Sequence, residues 1–196
     1  MKLIIASNNQ HKIREIKEIL GSRFDRILSL NEAGIDHETV EDGTTFLENS
    51  MKKAKEITEI ANCFAIADDS GLCVEALGGA PGIFSARYCG YHGDDAKNRE
   101  VLLEKMKNIT DRKAYFACAI ALSCPDGRML TAEGRFHGEI AYSEKGENGF
   151  GYDNLFFVPE YGCTSAEMSP ELKNSISHRR KALEKIVKLM DEAGII

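Results

Sequence analysis

The apolar positions of this chain change period along its length. Lys2–Ala6 forms a short, largely apolar run, the pattern of a buried strand. After a turn at Ser7, Asn8 and Asn9, the residues Ile13, Ile16, Ile19 and Leu20 recur at helical spacing. This predicts a helix over 10–20, stopped by Gly21. Thr45 and Glu48 stand in capping-box order and open a helix to about Ala61. Phe64–Ala67 predicts another strand, ending in Asp68, Asp69, Ser70 and Gly71, with Leu72–Leu77 as a return strand. Gly78–Gly82 reads as a loop set by Pro81. An amphipathic helix over 94–107 precedes two long strands, Ala114–Ser123 and Met129–Ile140, joined around Pro125, Asp126 and Gly127. A short buried strand at Leu155–Val158 and a helix at Ser177–Met190 close the chain. That helix carries Leu183, Ile186, Val187 and Met190 on one face and stops near Gly194. Strands and helices alternate early and a hairpin sits in the middle, so the expected class is α/β with a mixed sheet.

Composition narrows the classes of partner. The 196 residues are 43% hydrophobic and 29% charged, the range of a globular chain able to bury a core without staples, and one domain over 1–196 is expected. No segment reaches the roughly 18 apolar residues that span a bilayer, and the amino end lacks a signal-peptide pattern, so the expected location is cytoplasmic with no membrane partner. Asp and Glu total 31 against 25 Lys and Arg, a formal charge of −6. Broad nucleic-acid binding needs a cationic footprint and is not expected. A local cationic pocket for one phosphorylated molecule remains open. Cys63, Cys73, Cys89, Cys118, Cys124 and Cys163 form no C-x-x-C pair and read as reduced thiols, mostly in the core.

Five segments carry candidate chemistry. Ser7, Asn8, Asn9, Gln10, His11 and Lys12 join a strand to a helix, where free N–H groups and a lysine suit an anion; the same residues also suit a plain N-cap. Glu41 precedes a helix on which Glu48 and Lys52, and Asn49 and Lys53, are four apart. Each pair shares a face, and a solvated ion-pair face fits equally. Asp68 and Asp69 leave an apolar strand on opposite sides, so one can face a cleft while the other turns inward. Magnesium takes a few carboxylates plus phosphate oxygens and water, and a strand end suits it; an Asx turn before Gly71 is the plainer alternative. Gly149, Phe150, Gly151, Tyr152 and Asp153 combine close backbone approach with an aromatic face able to stack on a base, or form a glycine-rich loop around a core aromatic. Lys173 and then Ser177, His178 and Arg179 place cations at the start of the last helix, for an anion or a carbonyl oxygen, or simply as a cap and basic surface.

Taken together these segments resemble the inosine/xanthosine triphosphate pyrophosphatase (Ham1-like) family. The matching pieces are SNNQHK (7–12), TFLENSMKKA (45–54), ADDSGL (67–72), GGAPGIFSARY (78–88), GFGYDNLF (149–156) and SHRRKAL (177–183), in family order over nearly the whole chain. The resemblance implies an elongated mixed β-sheet flanked by helices, two lobes with a nucleotide cleft between them, and a homodimer. It implies hydrolysis of non-standard purine nucleoside triphosphates (ITP, dITP, XTP) to the monophosphate and pyrophosphate with Mg2+, one or more divalent ions. By the same resemblance Asp69 is the catalytic proton acceptor and a metal ligand, and Glu41 a second metal ligand. Ser7, Asn8, Asn9, Gln10, His11, Lys12 and Lys53 face the phosphates, and Ser70 contacts substrate. Phe150, Gly151, Tyr152, Asp153, Lys173, His178 and Arg179 bind the nucleotide and its base. The chain departs from the family pattern at Asn8, where glycine is usual, at Ser50, where alanine is, and at Asn154, where proline is. Two other functions fit less of the sequence. A septum-inhibitor-type pyrophosphatase does not account for Ser177–Arg179 or the Phe150 loop. A non-catalytic nucleotide sensor has no use for Glu41 and the double Asp.

Overall fold

The computed structural model describes residues 1–195. Its elements run β1 (Lys2–Ile5), α1 (Gln10–Leu20), β2 (Arg26–Ser29), α2 (Leu30–Ala33), α3 (Phe46–Ala61), β3 (Phe64–Val74), α4 (Asp95–Met106), β4 (Lys113–Ser123), β5 (Met129–Ile140), β6 (Phe156–Val158), β7 (Cys163–Thr164), α5 (Pro170–Ile176) and α6 (His178–Glu192). The seven strands form one sheet in the order β2-β1-β3-β4-β5-β6-β7. β1 pairs parallel with β2 and with β3, while β6 pairs antiparallel with β5 and β7, so the sheet is mixed as expected.

Contacts divide the chain into two compact units, and the division falls within β3, between Asp69 and Ser70. The first unit holds Met1–Asp69, Cys118–Gly134 and Arg179–Ile196; the second holds Ser70–Ala117 and Arg135–His178. The first packs two cores. In one, Leu3, Ile5 and Ile66 meet Ile13, Ile16 and Leu20 of α1 and Leu183, Ile186 and Met190 of α6. In the other, Ile4 and Ala65 meet Ala54 and Ile57 of α3. Successive β1 residues thus face different helices, the two-residue period of a strand buried on both sides. The core of the second unit gathers Leu72, Val74, Leu102, Met106, Phe136 and Phe156.

The predicted elements appear with one topological difference. β3 does not end at Asp68 but continues unbroken to Val74, so no return strand forms at 72–77. The Leu72 N–H donates to Ser85 Oγ at 2.9 Å, which ties the far half of the strand to the segment after Pro81. Gly71 permits this, because a Cβ there would lie 2.4 Å from Ser85 Oγ. The capping box at Thr45 is half made. Thr45 accepts the Glu48 N–H, but the Glu48 carboxylate turns to the N–H and hydroxyl of Thr44. A complete capping box belongs instead to α2, between Ser29 and Glu32. Four short elements, β2, α2, β7 and α5, lie outside the predicted set; each has seven residues or fewer and shows no period of its own. The Ser169–Pro170 start of α5 was a readable signal, a cap followed by proline at the first helical position.

Candidate active site

β3 carries Asp68 and Asp69 to the end of the first unit, and the strand alternation separates their roles. Asp68 is fully enclosed. Arg179 Nε donates to its Oδ2 at 2.9 Å, the Cys118 thiol donates to the same oxygen at 2.8 Å, and Lys12 forms an ion pair with Oδ1. Burial opposes ionisation of Asp68, but the charges of Arg179 and Lys12 outweigh it and hold the carboxyl well below the usual range. Arg179 is only 2% exposed and also donates to Glu15 at 2.9 Å, so its guanidinium is embedded between two carboxylates. Burial pushes the Cys118 thiol up, and Asp68 pushes it further, so it stays a neutral donor.

Asp69 faces a different set of groups. Lys53 Nζ lies 3.2 Å from its Oδ1 and 2.8 Å from Glu41 Oε1, and donates to the Asp68 carbonyl at 2.9 Å. Asn49 Nδ2 donates to Asp69 Oδ2 at 3.1 Å, while Asn49 Oδ1 accepts the Gly43 N–H at 2.9 Å. Asn49 thereby links the carboxylate to the segment that carries Glu41. Burial raises the proton affinity of Asp69; Lys53 opposes that rise and Glu41 reinforces it, and the net direction is upward. A carboxylate tuned this way is a stronger base than an exposed aspartate. Lys53 is held protonated, because Asp69 and Glu41 outweigh the burial that disfavours its charge.

These groups fit a divalent ion. The carboxylates of Glu41 and Asp69 already share one cation, the Lys53 ammonium. Within the cluster Glu15, Glu41, Asp68 and Asp69 outnumber Lys12, Lys53 and Arg179 by one negative charge. Among the described residues no group of three or more His, Cys, Asp and Glu gathers as a metal cage. Two carboxylates are the donor set of an ion that takes the rest of its ligands from phosphate oxygens and water, as magnesium does.

The Ser7–Lys12 segment enters α1 in the same unit. Asn9 Oδ1 accepts the N–H groups of His11 and Lys12 at 3.0 and 3.3 Å, and Ser7 Oγ accepts the Asn9 N–H at 3.1 Å. Asn8, where glycine was expected, turns its side chain to accept the Asn31 N–H at 3.1 Å, tying the loop to α2. Asn8, Asn9, Gln10 and His11 are exposed, and Lys12 is half-buried against Asp68.

The second unit holds the remaining predicted residues. Ser70 follows in β3, half-buried. Gly149 and Gly151 have φ of 83° and 62°, a backbone that L side chains resist, and Phe150 stands between them. Asp153 is 3% exposed and acts as the internal post of this loop. Its Oδ2 accepts the Phe150 N–H at 2.8 Å and pairs with Lys173, and its Oδ1 accepts the Ser165 hydroxyl at 3.0 Å. Lys173 Nζ also lies 5.1 Å from the centre of the ring of Phe150, an exposed residue. The Tyr152 hydroxyl donates to the Ser85 carbonyl at 2.8 Å, and its ring is buried. The His178 ring stacks on Phe116 at 5.1 Å and 18°, which fixes its plane at the start of α6. Ser177, the residue before it, is buried. Glu15, Asn49, Cys118, Ser85 and Phe116 partner these groups without having been candidate site residues. Only Asn49 carried a signal, its shared helix face with Lys53.

Comparisons with known proteins agree with one another. The model of the Ham1 family matches residues 3–189. A Clostridium perfringens protein named dITP/XTP pyrophosphatase is 55% identical over 193 residues, spanning 94% of this chain and 95% of its own. The Bacillus subtilis protein of the same name is 45% identical over 190 residues, spanning 96% of each. A solved structure of the Staphylococcus aureus Ham1 protein matches with a TM-score of 0.91 at 43% identity, over 98% of this chain and 100% of that one.

Proposed function

The chain belongs to the Ham1 family, and from that premise we propose that it hydrolyses deoxyinosine, inosine and xanthosine triphosphates to the monophosphate and pyrophosphate. The observation that carries this reading is the pair Asp69 and Glu41 around Lys53, with the proton affinity of Asp69 raised by burial and by Glu41. Glu41 and Asp69 would hold magnesium. When bound, the ion neutralises developing charge on triphosphate oxygens. Asp69 orients a water and takes its proton as the oxygen attacks the α-phosphorus, and Asn49 keeps the carboxylate aligned. The bond from the α-phosphorus to its bridging oxygen breaks, and pyrophosphate leaves. Lys12 and Lys53, with Ser7, Asn8, Asn9, Gln10 and His11, receive phosphate oxygens; this is positioning and electrostatics rather than covalent catalysis. Ser70 contacts the substrate.

Phe150 stacks on the base within the loop of Gly151, Tyr152 and Asp153, with Lys173 beside the ring. The Ser177–Arg179 segment presents donors to the carbonyl at the purine six position, through His178 and backbone N–H groups, while the Arg179 side chain holds the turn. Adenine would set an amine against those donors and leave buried polar groups unpaired, a mismatch that supports discrimination of roughly 10⁴–10⁵-fold. The protein acts as one domain in the cytoplasm, as a homodimer, and the formal charge of −6 supports a small-molecule substrate over nucleic acid. The test is a panel of inosine, xanthosine, adenosine and guanosine triphosphates with magnesium, scored for every phosphorus product. Equal yields of inosine monophosphate and pyrophosphate are expected, lost on chelation and regained with magnesium. Orthophosphate with inosine diphosphate would mean attack at the γ-phosphorus and would overturn the proposal.

A further inference from the structure

The loop that carries Phe150 is gripped by a helix for which the chemistry above has no role. Asp95 and Arg99 stand four residues apart on α4 and so share a face. Asp95 Oδ2 accepts the Gly151 N–H at 2.8 Å, and Arg99 donates from Nη1 to the Gly151 carbonyl at 2.8 Å. Both backbone polar groups of a single glycine are therefore held from one helix face. Arg99 is braced in turn by Glu144, 3.0 Å from its Nε. With the Phe150 N–H held by Asp153, three of the four backbone polar groups of Phe150 and Gly151 have side-chain partners, and the fourth, the Phe150 carbonyl, accepts the Asp153 N–H at 3.2 Å. Yet Phe150, on this pinned backbone, is 36% exposed. A pinned backbone under an exposed aromatic residue is the arrangement of a pre-set contact, in which surrounding side chains lock the geometry of the group that meets the ligand.

We propose that Asp95 and Arg99 are positioning residues for purine-base recognition, setting the pose of the Phe150 face through Gly151. This rests on the reading of Phe150 as the base platform. Neither residue touches the substrate, and neither acts on the phosphates. Their loss therefore weakens binding of the base equally in the ground and transition states. That raises KM and leaves kcat in place.

The test compares D95A, R99A, D95N and F150A with the parent protein, after thermal melts show that each is folded. Steady-state kinetics with inosine triphosphate are measured alongside inhibition by pyrophosphate, which has no base. D95A and R99A should raise KM by about tenfold, the scale of one lost base stack, with kcat within about twofold. F150A should show the same signature. D95N should stay within about threefold of the parent KM, since its amide oxygen still accepts the Gly151 N–H. The pyrophosphate inhibition constant should not move in any of them. A parental KM in both folded alanine variants overturns the inference alone, as does a parallel loss of pyrophosphate affinity, which would mean general loosening. A parent protein that releases no pyrophosphate from inosine triphosphate removes the functional reading, and this inference with it.

Discussion

Asp68 and Asp69 are neighbours in sequence with the same side chain, and their surroundings drive them in opposite directions. Asp68 meets two cations inside the protein and is locked ionised; burial and the neighbouring Glu41 raise the proton affinity of Asp69 against the pull of Lys53. The alternation of a strand was enough to anticipate that one would turn inward, because successive side chains leave opposite faces. The partners were not legible, since Lys53 and Asn49 reach Asp69 only once α3 has packed beside β3. If Asp69 is the base, Asp69→Asn should retain the parental melting temperature and lose turnover by roughly 10²–10⁴-fold. Asn49→Ala removes the donor that aligns this carboxylate and should cost about 10–100-fold, the usual range for a group supporting a metal ligand. Single-turnover rates with inosine triphosphate check both, and parental turnover in folded Asp69→Asn would sink the assignment.

At the scale of elements, the loop around Phe150 shows how glycine placement is set by tertiary neighbours. Gly149 and Gly151 look equivalent in the sequence, and both have positive φ. They differ in what surrounds them. A Cβ on Gly149 would lie 2.2 Å from Asp153 Oδ2, the atom that accepts the Phe150 N–H, whereas a Cβ on Gly151 would meet nothing within 4 Å. Gly151→Ala should therefore cost only the left-handed backbone penalty, about 1–2 kcal/mol. Gly149→Ala should cost that and also displace Asp153, lowering the melting temperature further and raising KM for inosine triphosphate more than Gly151→Ala does. Equal effects in the two variants would show that Asp153 is not the post of this loop. The glycine-rich pattern marked the loop; it did not distinguish the two positions.

For the whole molecule, the enclosed ion cluster at Asp68 links folding to pH. Its folded carboxyl titrates well below its ordinary value of 3.8, so it contributes stability that is complete above that value. The contribution declines as pH falls below 3.8 and is lost as pH passes through the lower folded value. Asp68→Asn leaves Arg179 and Lys12 facing a neutral amide, and breaking a buried pair from one side costs about 3–5 kcal/mol. Urea unfolding should show that loss at neutral pH and a flatter decline toward acid than in the parent. Equal stability of the two proteins at neutral pH would refute the role given to Asp68. Asp69→Asn should leave stability nearly unchanged, which separates the structural aspartate from the reactive one.

The sequence by itself determined the elements long enough to show a period, the mixed α/β class and the family. Each of these is written locally: the apolar runs that open β1 and β3, the three-to-four step of α1 and α6, and contiguous motifs such as ADDSGL and GFGYD. Only the tertiary structure decided which charges pair. Arg179 and Asp68 are 111 positions apart and Asp95 and Gly151 are 56 apart. An ion pair or a backbone clamp depends on which groups are buried together, not on the spacing within either segment. The unbroken course of β3 is a case of the same rule. Local turn chemistry at Asp68–Gly71 favoured a turn, whereas the strand runs unbroken, with Asp68 buried among Lys12, Cys118 and Arg179 and Leu72 tied to Ser85.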